Sequence, residues 1–139
     1  MKVSEIMHRK ATWVTPATSL QEIARMMRDE DIGAVPVGDN DRLVGMVTDR
    51  DITCRGLTNG SKINELKAKD VMSKGIFYCR DDEDIDDAAR IMEKERVRRL
   101  PVINDKKRMV GMLSLGDISA RANTGLSAEV MKAVSAHHA

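Results

Sequence analysis

Apolar residues recur along this chain in two alternating periods, and the alternation is written twice. Leu20, Ile23, Ala24 and Met27 share one face of a helical period, as do Ile85, Ala88, Ala89 and Met92; each set predicts an amphipathic helix with one side turned to a core. Ser19 and Asp84 stand before these stripes as N-caps, and Glu22 completes a capping box with Ser19. The first helix is expected to end near Asp31-Ile32-Gly33, with the glycine as its stop. After each helix come short apolar runs split by turn residues. Ala34-Val35-Pro36-Val37, the turn Gly38-Asp39-Asn40-Asp41 and Leu43 to Val47 read as one hairpin, and Arg99 to Ile103 with Met109 to Leu113 as another. Ahead of each helix, Trp13-Val14-Thr15, halted at Pro16, and Ile76-Phe77-Tyr78-Cys79, entered from Gly75, read as single strands. Val3, Ile6 and Met7, like the run Ala68 to Met72, suit a helix of one turn, too short to persist unless it docks on a larger surface.

The two series keep step residue by residue. Met7 precedes Met72, and Pro36 precedes Pro101, by 65 residues; Gly45 precedes Gly111, and Ile52 precedes Ile118, by 66. One residue is therefore inserted in the second hairpin turn, where GDNDR becomes INDKKR. The clearest echo is LVGMVTDRDI at Leu43 to Ile52 against MVGMLSLGDI at Met109 to Ile118. Two copies are too few for a solenoid and suit a pseudo-symmetric pair that buries a shared face. The expected organisation is a first motif over 1–56, a connector over 57–67, a second motif over 68–122 and a helical tail over 123–139. The connector carries Asn-Gly-Ser and no sustained period. In the tail, Leu126, Val130, Met131 and Val134 lie at helical spacing, and His137-His138-Ala139 is expected to fray.

Each long echo ends its strand on a hydroxyl and places a carboxylate three residues later: Thr48 with Asp51, Ser114 with Asp117. The helix after Thr48 is expected to run to about Arg55 and stop at Gly56, and Asp117 to open its counterpart. A strand that turns straight into a helix leaves backbone N–H groups unpaired and a partial positive charge, which suits a phosphate. The carboxylate one turn on can accept two hydrogen bonds from a diol such as a ribose. The same spacing is also a capping box that needs no ligand. Arg96, Arg98 and Arg99 add a second asymmetric element. Just before Leu-Pro-Val, arginine sits where a strand starts beside the one ending in Ser114, placed to grip a phosphate bidentately or to pair with the acidic run Asp81 to Asp87; the first copy has Gly33 and Ala34 there.

Composition narrows the rest. A chain of 139 residues, 42% hydrophobic, supports one ordinary core, and alternating strands and helices make it mixed α/β. Lys and Arg number 23 against 22 Asp and Glu, a formal charge of +1, so no global field favours nucleic acid or an anionic membrane. The N-terminus has no apolar signal region and no run approaches a membrane span, so a cytoplasmic protein is expected. Cys54 and Cys79 occupy non-equivalent positions without C-x-x-C spacing, which argues against a disulfide framework or zinc site and for buried or half-buried thiols. The six carboxylates of DDEDIDD lack EF-hand spacing and suit a solvated helix start rather than a metal. Met27, Met46, Met92 and Met112 suit adaptable core packing. No catalytic residues are expected: His8 has no evident partner and the other two histidines lie in the tail, so no base stands near a nucleophile.

A short helix, β-α-β-β-α in each copy, apolar-Pro-Val before the hairpin, and Gly-apolar-apolar-Thr/Ser-x-x-Asp at its end resemble a tandem pair of CBS domains, the regulatory module named after cystathionine β-synthase. The resemblance covers residues 1–122, and in length the chain is similar to small stand-alone bacterial CBS-pair proteins, including hypoxia- or stress-responsive ones. It implies two motifs packed sheet to sheet, with two clefts for adenosine-containing ligands such as AMP, ADP, ATP or NAD(H), and no required cofactor. It further implies that Asp51 and Asp117 hold ribose hydroxyls and that Thr48 and Ser114 face phosphate, with Arg99 reinforcing one cleft and Arg50 compensating in the other. Ala11 and Thr12 would border adenine in the Asp117 cleft, and Ile76 and Phe77 in the Asp51 cleft. A homodimer and an effector protein are the partners such a module implies. The alternative is a ligand-free interaction or redox-linked stress module of the same fold.

Overall fold

The structure is a computed structural model that describes residues 1–9, 12–121, 128 and 131–133. Its elements follow the order α1 (Val3–Ile6), α2 (Leu20–Glu30), β1 (Ala34–Asp39), β2 (Arg42–Thr48), α3 (Asp49–Asp51), α4 (Ala68–Val71), β3 (Cys79–Arg80), α5 (Ile85–Glu95), β4 (Arg99–Ile103), β5 (Met109–Ser114) and α6 (Leu115–Arg121). A π-helical turn, Ile52–Gly56, prolongs α3, and a 3-10 turn spans Ile63–Glu65. Mixed α/β architecture with two β-α-β-β-α motifs is what the hydrophobic pattern predicts.

The chain forms two compact units, one from the described residues of 12–76 and the other from those of 1–11 and 77–139. These units and the sequence repeat divide the chain differently, because each one-turn helix docks on the sheet of the other copy. In the unit of 12–76, β1 and β2 pair antiparallel from Ala34 opposite Thr48 to Asp39 opposite Arg42. Asn40 and Asp41 both take positive φ, which closes the two-residue turn with the twist a hairpin needs. Leu20, Ile23 and Met27 of α2 are buried with Val35, Val37 and Val47. Helix α4 joins them: the Ala68 and Lys69 amides donate to the carbonyls of Thr18 (2.8 Å) and Pro16 (3.0 Å), and Ala68 and Val71 are buried.

In the other unit, β3 runs parallel to β4 with Cys79 opposite Val102, and β4 pairs antiparallel with β5 from Arg99 opposite Ser114 to Ile103 opposite Met109. Ile85, Ala88, Ala89 and Met92 of α5 are all buried against this sheet. Helix α1 docks beside them, its Val3 and Ser4 amides donating to the carbonyls of Glu83 (2.9 Å) and Asp81 (3.0 Å). Val3 is fully buried.

Several local expectations change. The strand at Trp13-Val14-Thr15 reduces to a bridge at Val14, whose amide and carbonyl bond Pro36 and Gly38, because Pro16 ends the run at once. Of the expected strand Ile76–Cys79 only Cys79 is in one, which it forms with Arg80. Helix α2 stops at Asp31, not Gly33: Asp31 itself takes the left-handed conformation (φ 53°), and the Ile32 amide closes onto the Met27 carbonyl. Arg96 (φ 58°) ends α5 in the same way. Ser19 caps α2 by accepting from the Glu22 amide, without the reciprocal half of the box. The second helix start opens at Leu115, with Asp117 in its first turn. Met46 and Met112 are half-buried while Met27 and Met92 are buried. Of the tail, Met131 is helical and half exposed; Leu126, Val130, Val134 and His137-His138-Ala139 lie outside the described residues.

Candidate functional site

At the end of β2 the chain passes straight from strand to helix. Thr48 Oγ1 accepts from the Asp51 amide at 3.0 Å, and Asp51 Oδ2 accepts from the Thr48 amide at 2.9 Å, a reciprocal capping box. Asp51 is 8% exposed. Its other oxygen, Oδ1, accepts from Arg55 Nη2 at 2.7 Å. Arg55 is held in turn by the Val71 carbonyl, to which Nε and Nη2 donate at 3.1 and 2.7 Å, and by Ser73 Oγ at 3.1 Å. The amides of the first turn are also engaged: Asp49 donates to the Gly33 carbonyl (3.0 Å) and Arg50 to Asp49 Oδ1 (2.9 Å). The helix start expected to offer open N–H groups therefore satisfies them internally.

The end of β5 repeats the box with different surroundings. Ser114 Oγ accepts from the Asp117 amide at 3.1 Å, and Asp117 Oδ2 accepts from the Ser114 amide at 2.8 Å. His8 Nε2 lies 2.9 Å from Asp117 Oδ1, with the imidazole 73% and the carboxylate 14% exposed. The Leu115 amide donates to the Arg98 carbonyl at 2.8 Å. The Gly116 amide has no acceptor among the described residues. Arg99 stands in register opposite Ser114, where the other hairpin has Ala34 opposite Thr48. Arg96, Arg98 and Arg99 are exposed and form no ion pair with the described residues, while Asp84 of the acidic run caps α5.

The repeated glycines explain how His8 and Ser73 reach these positions. After α1, His8 bonds Met112 of β5 through both backbone groups (2.9 and 3.0 Å); after α4, Ser73 bonds Met46 of β2 in the same way (2.8 and 3.0 Å). A Cβ on Gly111 would stand 2.7 Å from the His8 carbonyl oxygen, and one on Gly45 2.7 Å from Met72 Sδ and 3.1 Å from the Ser73 carbonyl oxygen. Only glycine lets the segment after the short helix lie this close to the strand. His8 and Ser73 are thus equivalent positions. The imidazole spans to the carboxylate of Asp117, whereas Asp51 is bonded by Arg55 from one turn along its own helix.

Thr48, Arg50 and Asp51 are brought together at one helix start, and Arg99, Ser114 and Asp117 at the other. Arg50 is exposed. Thr12 is half-buried and donates from Oγ1 to Glu30 Oε1 at 2.7 Å. Ile76 is half-buried and Phe77 is 40% exposed. Thr12 and Ile76 belong to the unit of Asp51 and Phe77 to that of Asp117, while Ala11 lies outside the described residues. Sequence reasoning missed two polar partners. Arg55 was visible as the residue four after Asp51, a helical pairing distance. His8, read as a residue without a partner, was visible only as the repeat counterpart of Ser73.

The thiols differ sharply. Cys79 is fully buried, and burial, with help from Glu83 and Asp81, pushes its pKa up to about 12. Cys54, expected to be buried or half-buried, is exposed, on the π-helical turn. Among the described residues no group of three or more His, Cys, Asp or Glu is arranged to hold a metal, and no helix is long and apolar enough to cross a membrane.

Comparison with known proteins places this geometry in a family. The CBS domain matches residues 3–55 and again residues 68–122. The chain is 37% identical over 131 residues to Hypoxic response protein 1 of Mycobacterium tuberculosis, covering 94% of this chain and 91% of the relative. Among solved structures it is similar to Hypoxic Response Protein I with two coordinated zinc ions (37% identity, TM-score 0.80, 88% of this chain and 100% of the other). It is also similar to CBSX2 in complex with AMP (26% identity, TM-score 0.74, 86% and 93%). A further match is the CBS domain pair of protein MJ0100 with 5′-methylthioadenosine and S-adenosyl-L-methionine (27% identity, TM-score 0.73, 86% and 98%). Two family matches, each running through one of the two carboxylate-bearing helix starts, show that this chain belongs to the CBS-domain family and carries the domain as a tandem pair.

Proposed function

We propose that the chain is a regulatory module that binds an adenosine-containing ligand, principally at Asp117, and that it acts as a cytoplasmic homodimer read by an effector protein. Asp117 would take the ribose hydroxyls, and Ser114 and Arg99 the phosphate. The corresponding roles in the first copy fall to Asp51, Thr48 and Arg50, with a weaker hold on phosphate. The observation that carries this reading is the register of Arg99 opposite Ser114: an exposed guanidinium beside a capped carboxylate and the Gly116 amide, guanidinium and amide both without a partner among the described residues. That combination offers complementary groups to phosphate and diol at one place. AMP in CBSX2 and the two adenosyl ligands in MJ0100 support the ligand class.

Regulation follows from linkage. A ligand that favours one arrangement of the pair shifts that equilibrium only by its differential affinity, and any partner reading the arrangement is then coupled to it. The ligand-free alternative has one specific observation in its favour, since both carboxylates are already satisfied by their own capping boxes.

A thermal-shift panel of AMP, ADP, ATP, NAD, NADH, S-adenosylmethionine and 5′-methylthioadenosine tests the choice. A ligand at a hundred times its Kd adds about 2.7 kcal/mol, which for a chain of this size raises Tm by roughly 5 to 10 °C. Asp117→Ala is expected to lower affinity about ten- to a hundredfold by removing charge-assisted hydrogen bonds. Arg99→Ala should weaken AMP and spare adenosine. Unchanged melting across the whole panel would select the ligand-free module.

A further inference from the structure

The two carboxylates differ in what already occupies them, and the difference reaches beyond the arginine that one copy lacks. The Asp51 carboxylate and the first-turn amides at its helix start all have partners within the unit of 12–76. Thr48 N–H takes Asp51 Oδ2, and Arg55 takes Oδ1 while bonded to the Val71 carbonyl and Ser73. The Asp49, Arg50 and Asp51 amides are each bonded as well. A ribose approaching Oδ1 would have to displace a guanidinium held by a charge-assisted bond and two further acceptors. At Asp117 the corresponding oxygen faces one exposed imidazole, the Gly116 amide is open among the described residues, and Arg121, the repeat counterpart of Arg55, bonds none of them.

We infer that Arg55 closes the Asp51 helix start to nucleotide, so that each chain carries a single nucleotide site, at Asp117. This rests on the proposed adenosine-ligand reading at Asp117 and narrows it, replacing the weaker first-copy site by none: Arg55 becomes the residue that sets stoichiometry. The closure is steric and electrostatic together, because the guanidinium fills the position a hydroxyl would take and neutralises the carboxylate that would receive it. Asp49, at 3.2 Å from where a Gly33 Cβ would stand, adds a negative charge beside the same start, where the second copy has Leu115.

Calorimetric titration of the full chain with AMP tests this, comparing the parent with Arg55→Met, which keeps the length and apolar stem of arginine but donates no hydrogen bond. The expected parent stoichiometry is one AMP per chain. Arg55→Met should gain a second event, which the double variant Arg55→Met/Asp51→Asn loses again. Two AMP per parent chain would overturn the inference, as would a folded Arg55→Met that still binds one. A loss of binding in Arg55→Met would make Arg55 a ligand contact, which also overturns it. A parent that binds none beside an Arg55→Met that binds one through Asp51 would uphold the closure and defeat the Asp117 reading; no binding by either would defeat both. Because Arg55 also holds the Val71 carbonyl, the side-chain carboxyl carbon shifts of the parent provide a check that needs no folded variant. On saturation with AMP the Asp117 signal should move and the Asp51 signal should stay, and movement at Asp51 would overturn the closure.

Discussion

Asp51 and Asp117 end equivalent strands, close identical capping boxes and lie in pieces of sequence that read alike, yet they occupy different chemical settings. Around Asp51, arginine, hydroxyl and carbonyl groups from its own unit form a finished network. Around Asp117, the network among the described residues stops at one exposed histidine, and two exposed arginines at the neighbouring strand start pair with none of them. The lesson is that a duplicated motif conserves the backbone that makes a site and leaves its occupancy to a few side chains. A capping box is a structural device in both copies; what surrounds it decides whether it is also a binding surface.

The sharpest break of this equivalence should come at the glycines. Gly111→Ala drives a Cβ against a backbone oxygen at 2.7 Å, whereas at Gly45 the nearest atom is a flexible methionine sulfur. Overpacking against backbone is expected to cost about 3 kcal/mol at Gly111 and about 1 at Gly45, read as the difference in urea midpoints of the two variants. Equal losses would show that the segment after α1 yields as readily as the methionine.

Next in size are the carboxylates themselves. Asp51→Ala removes a cap from a buried carboxylate and the anchor of Arg55, at about 2 kcal/mol, while Asp117→Ala loses a cap beside an exposed histidine, at about 1 kcal/mol. Chemical denaturation checks the order, and a reversal would mean that the Arg55 network contributes little to folding. The same two positions thus rank oppositely for stability and for ligand affinity.

The thiols extend the contrast to pH. Cys79 keeps its proton in the folded state up to about 12, against a reference of 9.0. Its contribution to stability is complete below about pH 9 and is lost as pH rises from there toward 12, because the unfolded thiol releases its proton first. The slope reaches up to about 1.4 kcal/mol per pH unit. Urea curves of the parent and Cys79→Ala between pH 8 and 11 should diverge accordingly, and parallel curves would contradict the burial of the thiol. At neutral pH, Cys54 is expected to react with a thiol reagent in the native protein and Cys79 only after unfolding.

The smallest effect is expected from His8→Ala, within about 0.5 kcal/mol of the parent, as for exposed pairs generally. Because removing the imidazole frees Asp117 Oδ1, AMP affinity should rise or hold while stability barely changes. A large destabilisation would show that His8 locks Asp117 as firmly as Arg55 locks Asp51.

Much of this was legible along the chain because it depends on near neighbours. The stripes of α2 and α5, both hairpins, the one-residue insertion and both Thr/Ser-x-x-Asp caps follow from periods and turn residues that act over a few positions. The sequence by itself thus determined two copies of one β-α-β-β-α unit, each ending in a capped carboxylate. Only the tertiary structure decided where the one-turn helices go, since α1 and α4 are too short to hold themselves and take their positions from surfaces far away in sequence. It also decided that Asp31 and Arg96, rather than glycine, turn left-handed at the helix ends, where closing bonds to Met27 and Met92 outweigh the local strain. The same long-range docking carries His8 across to Asp117 and the Val71 carbonyl across to Arg55. Those contacts join residues that no local period connects, and their chemistry separates two starts that the repeat had made alike.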